Sequence, residues 1–359
     1  MEWRSWATDV VAIRPGPVRW GHAVQGGIAV LLPGLLFIAL GQPTLALAAS
    51  NGGFLALYLG GLSRIRRAKL LPIIGVGLFA AVALALLGAQ AGAAAAVATV
   101  SVLAVLATVV TVGWGVGPPG ALFFVLLAGA FSTLGIVESE RTGRVDFGAV
   151  LLPLGTGLVL AYAIVLAPLL LPAVRRQTGA APGRSDRLRF SLRRQALVIV
   201  VRVAVAVAVA ASIGLILGED RAYWIVITVV AVLQTSARRR MSAIRGGQRL
   251  LGTVLGLGVF ALLALLPLTE LTLLLVIGVL QTVIELVIAR NYGLALVLIT
   301  PLALLVAAQS DPGDVGAVVG ERVVDTIIGV LIAVVVVVIE HGWVTHRSRG
   351  DRAPWAQEQ

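Results

Sequence analysis

Four charged side chains lie inside long apolar stretches of this sequence. They are Arg202, Glu285, Arg322 and Asp325. A charged group within a bilayer is costly, so such a residue is by default a candidate for function. A buried arginine can bind a carboxylate, and a buried carboxylate such as Glu285 or Asp325 can take up and release a proton. These residue types are therefore compatible with binding of an anion and with proton coupling.

Each of the four also has a structural interpretation. Arg202 lies about two turns inside its apolar stretch, from which its guanidinium can reach the cytoplasmic interface. Glu285 shares a helix face with Gln281, four residues earlier, and is either a proton-titrating carboxylate or a structural partner of Arg202 or Arg290. Arg322 and Asp325, three residues apart, can pair with each other.

Aromatic and kink-forming residues supply further candidates. Tyr223 and Trp224 open a short apolar stretch, where aromatic side chains either anchor a helix at the interface or line an outer vestibule. Pro301 follows Thr300 within another stretch; a proline there frees a backbone carbonyl and either lines a cavity or is merely tolerated.

Small residues indicate where helices approach closely. Gly252 and Gly256 are four residues apart on one predicted helix, and Gly329 lies in the last one, so we expect tight helix packing at these points. No charged residue of the first half lies inside a predicted span. Asn51 is its strongest polar candidate, with a helix-to-helix hydrogen bond as the simpler role.

The elements that position these residues are predicted to be transmembrane helices. Of the 359 residues, 59% are hydrophobic and 13% are charged, with a mean hydropathy of +1.01, and apolar runs near 20 residues recur along the chain. The predicted spans, twelve in all, are 20–40, 44–61, 70–87, 91–112, 120–137, 147–171, 196–217, 222–235, 250–266, 271–289, 292–308 and 320–341. The predicted fold class is an all-α, polytopic integral membrane protein.

Loop charges predict the orientation. With this number of spans, the arginine-rich loops fall on one side and the acidic or neutral loops on the other, as expected when basic loops stay in the cytoplasm. Both chain ends are then cytoplasmic. Lysine occurs once, at Lys69, among 28 basic residues, which suggests a GC-rich bacterial genome and hence the bacterial cytoplasmic membrane.

The chain also looks duplicated. The Leu-Leu-Pro-Ile-Ile-Gly-Val-Gly-Leu-Phe string from Leu70 is similar to Leu-Leu-Gly-Thr-Val-Leu-Gly-Leu-Gly-Val-Phe from Leu250, about half the chain later. Six spans per half make two parallel repeats. The predicted organisation is a first repeat at 1–174, a basic linker at 175–195, a second repeat at 196–342 and a tail at 343–359.

Several functional classes are disfavoured. The net charge of +11 lies in short loops, without the interleaved aromatic residues of a single-strand binder, so nucleic acid is not an expected partner. The three histidines lack metal-ligand spacing, cysteine is absent, and no P-loop or hydrolase motif occurs. We therefore expect neither a metal, nor a cofactor, nor an enzyme.

Four strings of the second half carry a family resemblance. The first is Tyr223-Trp224-Ile225-Val226-Ile227-Thr228, which runs on to Gln234. The second is a basic loop followed by Arg249-Leu250-Leu251-Gly252-Thr253-Val254-Leu255-Gly256. The third is Arg290-Asn291-Tyr292 followed by Thr300-Pro301, and the fourth is Arg322-Val323-Val324-Asp325-Thr326-Ile327-Ile328-Gly329. Together with Arg202, residues 190–342 resemble the fusaric acid resistance family, the aromatic acid exporter group.

The resemblance implies export of small organic acids, in particular aromatic carboxylates, driven by the proton gradient. The implied partners are the organic-acid solute, protons and membrane lipids, with a homo-oligomer possible. Two other classes stay open: a passive organic-anion channel, and a non-transporting scaffold whose arginine loops bind anionic lipids. The residues expected to line a solute or ion pathway are Arg202, Tyr223, Trp224, Gln234, Gln281, Glu285, Tyr292, Thr300, Arg322 and Asp325. Those expected to shape the helices are Arg249, Gly252, Thr253, Gly256, Pro301 and Gly329.

Overall fold

The computed structural model describes residues 9–10, 12–13, 20–172, 190–217, 219–307 and 315–350. Within these ranges the chain is helical and has no β-strand, which confirms the predicted all-α class. Most of the predicted linker 175–195, the outer acidic residues Asp311 and Asp314, and the end of the tail lie outside the described residues.

Twelve α-helices occur in the described residues. They are α1 (Trp20–Ala39), α2 (Ala46–Gly52), α3 (Arg64–Gln90), α4 (Ala93–Gly113), α5 (Leu122–Thr142), α6 (Phe147–Leu166), α7 (Arg194–Leu217), α8 (Glu219–Leu233), α9 (Arg239–Ala264), α10 (Glu270–Val287), α11 (Tyr292–Ala307) and α12 (Val315–Gly350). Nine of these described helices, all except α2, α8 and α11, are long and apolar enough to cross a membrane. The chain is thus a multi-pass membrane protein.

Large apolar side chains on the outside of the bundle support this conclusion. Val76 is 71% exposed, and Val159 and Leu262 are each 67% exposed. Water would penalise such surfaces, whereas lipid tails are as apolar as these side chains. The exposed faces of α3, α6 and α9 are therefore suited to contact with lipid.

Turn residues end and begin the helices where the chain reverses. Asp146 starts α6, since its Oδ1 accepts a hydrogen bond from the Ala149 N–H at 3.1 Å. Thr269 starts α10 in the same way, through the Thr272 N–H at 3.3 Å. Gly143 ends α5 in the left-handed region, with a φ of 76° that favours glycine.

The predicted continuous span at 44–61 is wrong. This stretch consists of the seven-residue helix α2 between two 3-10 helices, Pro43–Leu45 and Gly53–Leu57. A Cβ on Gly52 would lie 2.4 Å from the Leu158 backbone nitrogen, and one on Gly53 would lie 2.3 Å from the Ala29 carbonyl oxygen. The glycines therefore let the backbones of α6 and α1 close around this element. It is buried in protein, with Tyr58 fully covered, as irregular backbone at membrane depth requires.

Helix α8 holds a similar central place in the second half. It is too short to span a bilayer alone, and its side chains from Ala222 to Leu233 are buried almost without exception. The helices around it are α4, α5, α7 and α12. Helix α11 is also short; it continues through Pro301 and packs extensively on α9.

The two halves interlock through their first helices. Helix α1 packs on α10 of the second half, and α7 packs on α4 of the first half. The α1–α10 crossing is tight, because a Cβ on Gly27 would lie 1.9 Å from the Thr282 Oγ1 and 3.0 Å from the Gly278 carbonyl oxygen. A side chain at position 27 would require the Thr282 side chain to move and would press against the α10 backbone at Gly278.

The substitution Gly27→Val should therefore destabilise the protein by about 1–3 kcal/mol, the usual cost of overpacking a core. Thermal unfolding in detergent measures the change. Gly21→Val is the matched control, because a Cβ at Gly21 meets nothing within 4 Å. Equal melting temperatures for the two variants would contradict the close crossing.

Candidate functional site

The described residues include five charged side chains that are almost completely buried. Arg67 and Arg202 are each 4% exposed, Arg322 is 6%, Arg249 is 7% and Asp325 is 1%. Buried charges must be paired or hydrogen-bonded, or they destabilise the fold. Where they lie and what they touch therefore defines the candidate sites.

Two of these arginines line one narrow cavity, which we call the arginine cavity. It lies between four helices of the second half. Its polar and aromatic lining comes from Trp224 on α8, Arg249 and Thr253 on α9, Thr300 on α11, and Arg322 and Thr326 on α12.

Glycines bring the walls of the arginine cavity together. A Cβ on Gly252 would lie 2.5 Å from the Gly293 carbonyl oxygen, and one on Gly256 would lie 2.7 Å from the Thr300 Cβ. These contacts hold α9 against α11. Gly329 does the same for α12 and α8, since its Cβ would lie 2.6 Å from the Cβ of Thr228. Together these close helix contacts place Arg249 and Arg322 in the walls of the same cavity.

Arg322 is held on two sides. Its guanidinium carbon lies 3.2 Å from the centre of the Trp224 ring, and its Nη1 lies 3.8 Å from the Asp325 Oδ2. Cation–π contact and ion pairing each stabilise a desolvated guanidinium. Tyr223 in turn packs on Trp224, with ring centres 4.6 Å apart. The guanidinium of Arg322 is therefore pre-positioned before any ligand arrives.

Both arginines retain hydrogen-bonding capacity. The Arg322 Nη1 and the Arg249 Nε are buried and have no hydrogen-bond acceptor among the described residues. A guanidinium presents five N–H donors in a planar fork that matches a carboxylate. The arginine cavity therefore has the chemistry of an anion-binding site.

A second polar centre, the interface cluster, joins the two halves. It consists of His22 on α1 with Gln281 and Glu285 on α10. The Glu285 Oε2 lies 3.5 Å from the His22 Nε2, and the Glu285 Oε1 accepts a hydrogen bond from the Gln281 Nε2 at 3.3 Å. The Glu285 side chain is 11% exposed, so its partners decide whether it can carry a charge there.

Arg67 connects the interface cluster to the broken element of the first half. It interacts electrostatically with Glu285. Its Nη2 also donates to the Ala56 carbonyl oxygen at 2.6 Å, which satisfies a backbone acceptor at the end of the 3-10 helix Gly53–Leu57. The carboxylate of Glu285 thus sits among groups from α1, α3 and its own helix.

Arg202 belongs to neither centre. Its Nε pairs with the Glu340 carboxylate on α12, and it does not pair with Glu285 as one interpretation of the sequence proposed. Gln25 on α1 makes the comparable contact in the first half, donating to the Ile164 carbonyl oxygen on α6 at 2.8 Å. Both contacts tie the first helix of a half to its last helix, which indicates a structural role for Arg202.

Gln234 and Tyr58 bind the loop between α4 and α5. The Gln234 Oε1 accepts from the Ala121 N–H at 2.8 Å, and its Nε2 donates to the Pro119 carbonyl oxygen at 3.2 Å. The Tyr58 hydroxyl donates to the Gly120 carbonyl oxygen at 3.0 Å. Gln234 therefore fastens α8 to a loop of the first half and lies outside the lining of the arginine cavity.

The residues before α1, which we call the N-terminal segment (residues 9–10 and 12–13), dock on the second half. Asp9 pairs with Arg240, and Val10 is 4% exposed. The Gln248 Nε2 donates to the Val10 carbonyl oxygen at 3.0 Å, and the Asn291 Nδ2 donates to the Ala12 carbonyl oxygen at 3.1 Å. The segment thus covers the adjoining starts of α9 and α11.

Tyr292, at the start of α11, lies near this docking place. The Arg245 guanidinium carbon lies 4.1 Å from the centre of the Tyr292 ring. Tyr292 follows Asn291, which binds the N-terminal segment, and it is not among the residues that line the arginine cavity.

The structure brings together six of the residues predicted from the sequence: Trp224, Arg249, Thr253, Thr300, Arg322 and Asp325. It separates them from Arg202, Gln234, Tyr292 and the pair Gln281 and Glu285. Four residues were missed: His22, Arg67, Thr326 and Glu340. Arg67 precedes the predicted span 70–87, so the sequence indicates a loop position, whereas α3 begins at Arg64 and includes it. His22 sits in the first turn of α1, where a polar residue is unremarkable.

Docking of the N-terminal segment can be tested with single cysteines, since the chain has none of its own. Val10→Cys should react slowly with a maleimide in detergent because Val10 is buried. Adding Gln248→Ala and Asn291→Ala should speed labelling at position 10 by about tenfold or more, since the segment loses both anchoring donors.

Ile13→Cys is the matched control for this labelling, because Ile13 is 66% exposed and should react fast in both backgrounds. Equal labelling rates at positions 10 and 13 in the otherwise unchanged protein would show that the segment is not docked.

Comparison with known proteins finds one family that part of the second half resembles. Residues 203–336 match the family described as fusaric acid resistance protein-like. The matched region runs from α7 into α12 and contains every polar residue of the arginine cavity. It confirms the resemblance seen in the sequence. No curated protein and no solved structure matches the chain.

Proposed function

We propose that this protein, whose residues 203–336 are of the fusaric acid resistance protein-like family, is a secondary transporter that exports small organic acids, aromatic carboxylates among them. Its family and its multi-pass helical fold agree with a role in transport or resistance. The solute, the direction and the proton coupling are the parts that we propose.

One observation carries the proposal. Two buried guanidiniums line the same cavity inside the family-matched half, and each keeps a nitrogen without a hydrogen-bond acceptor among the described residues. An unsatisfied donor on a buried charge is destabilising, and an anion that enters the cavity would satisfy it. We therefore assign solute binding to Arg249 and Arg322.

Proton coupling is assigned to the interface cluster. Glu285 lies where α1 of one half meets α10 of the other, and His22 faces it across that contact. A proton taken up by Glu285 removes the negative charge that His22 and Arg67 face, which changes the attraction between the halves. Movement of the halves against each other is the usual basis of alternating access.

We also propose that the chain is two parallel six-helix repeats. Helix pairs that pack in the first half have counterparts in the second half, which supports this. The pair α1–α2 corresponds to α7–α8, α2–α6 corresponds to α8–α12, and α3–α5 corresponds to α9–α11. Gly157 on α6 closes on Ala49 of α2, its Cβ 1.9 Å from that carbonyl oxygen, just as Gly329 on α12 closes on Thr228 of α8.

The proposed location is the bacterial cytoplasmic membrane, with both chain ends in the cytoplasm. Basic residues at the starts of two helices support it: Arg64 and Arg66 in the first turn of α3, Arg238 directly before α9 and Arg240 in its first turn. Basic residues in short loops stay on the cytoplasmic side.

Binding tests the solute site. Arg249→Gln and Arg322→Gln should each weaken benzoate binding by roughly tenfold or more, since each removes a charge-assisted donor from the cavity. Isothermal titration calorimetry on purified protein measures the affinity. Arg238→Gln, an exposed arginine at the start of α9, is the matched control and should bind like the unchanged protein. Unchanged affinity in both cavity variants would contradict the site.

Transport in proteoliposomes tests the coupling. Glu285→Gln should abolish the part of benzoate flux that a pH gradient drives, while calorimetric binding persists, because the arginine cavity is intact. Glu270→Gln, at the exposed opposite end of the same helix, is the control and should transport normally. Electrical current carried by benzoate without any effect of the pH gradient would instead identify a passive channel.

A further inference from the structure

We propose that the arginine cavity selects anions that carry one negative charge, and that Asp325 sets this selectivity. The inference rests on the proposed function, because it names the class of solute that the same site accepts. It follows from the number and arrangement of the buried charges.

Among the described residues, the almost completely buried charges at the cavity add up to a single positive charge. Arg249 and Arg322 supply two positive charges, and Asp325, which is 1% exposed, supplies one negative charge beside Arg322. Glu321, the neighbouring carboxylate on α12, also attracts Arg322, but it is exposed, so its charge is screened more than the charges of the three buried groups. One negative charge is therefore needed to neutralise the group.

The two arginines of the cavity differ in how far the protein compensates their charges. Arg322 is held between the Trp224 ring and the Asp325 carboxylate, so its charge is largely compensated within the protein. Arg249 lines the same cavity with its Nε unsatisfied among the described residues. The carboxylate of a solute can therefore accept a hydrogen bond from the Arg249 Nε, and a second one from the Arg322 Nη1, which is ion-paired with Asp325 but has no acceptor at hydrogen-bond distance among the described residues.

A second negative charge on the solute would be buried without a partner. Charges interact strongly where water is scarce, and an unpaired buried charge is far more costly than the loss of one ordinary hydrogen bond. A second carboxylate in the cavity would also be repelled by Asp325, which carries the same sign and lies beside Arg322. A dianion should therefore bind worse than a monoanion of the same shape.

Removing the charge of Asp325 should reverse the preference. In Asp325→Asn the cavity carries two positive charges, and a dianion then neutralises it fully. In the double variant Arg249→Gln/Asp325→Asn the net charge returns to one, so preference for the monoanion should return. Asp325→Glu keeps the charge and should keep the original preference.

The experiment compares benzoate with phthalate, which share one ring and carry one and two charges at neutral pH. Calorimetry on the purified protein should show benzoate binding at least about tenfold more tightly than phthalate. Asp325→Asn should move the benzoate-to-phthalate ratio of affinities by at least about tenfold towards phthalate, and the double variant should move it back.

The possible outcomes separate the two proposals. If neither compound binds the unchanged protein, the proposed function fails and this inference fails with it. If both bind and the ratio is the same in the unchanged protein, Asp325→Asn and the double variant, solute binding stands and charge selection by Asp325 is overturned. Should Asp325→Asn fail to fold, the unchanged protein, Asp325→Glu and the charge-balanced double variant carry the comparison. A preference for phthalate in the unchanged protein would also overturn the inference.

Discussion

Backbone that does not cross the bilayer as a full helix must be covered by protein, and this constraint organises the molecule. A spanning helix needs about 20 residues, whereas α8 has 15 and α2 has seven. Lipid cannot hydrogen-bond the ends of such short elements. The longer helices therefore surround them: α1 and α6 enclose α2, and α7 and α12 enclose α8. Glycines at these contacts are a consequence, because only bare backbone allows so close an approach.

The same burial gives the polar groups their significance. Trp224 lies on α8, the short helix that the protein must shield from lipid. The same helix therefore supplies the aromatic ring that makes the cation–π contact with Arg322. Water is scarce around the guanidinium, and its ring and carboxylate partners matter more there than they would at a surface. The interface cluster lies at the other kind of contact, between halves, where motion of one half against the other can change it. The proposed solute site thus lies in the tightly packed interior of one half, whereas the proposed proton site lies at the contact between the halves.

Much of the fold could be predicted from the sequence, because hydropathy and loop charge are properties of local composition. The continuity of a helix across a span is not such a property. Residues 44–61 are mostly apolar, yet Gly52 and Gly53 let α6 and α1 approach the backbone, and the helix is interrupted there. The site was predictable only in part. Arg322 and Asp325 are three residues apart and pair locally, so spacing was enough. Arg249 shares their cavity only because α9, α11 and α12 pack together. His22 and Glu285 are 263 positions apart in the chain, yet they face each other in the fold. A single sequence does not reveal either of these contacts.

The contacts of the docked N-terminal segment constrain the order of steps in synthesis and folding. Its residues precede α1, but their partners Arg240, Gln248 and Asn291 leave the ribosome more than 200 residues later. Throughout that interval the segment has no place to bind, and the earlier helices are already in the membrane. Its docking is therefore among the last steps of biogenesis, and it marks a chain whose second half has been synthesised and packed. A truncated product that stops before α9 lacks all three partners, so the segment has no docking place in it.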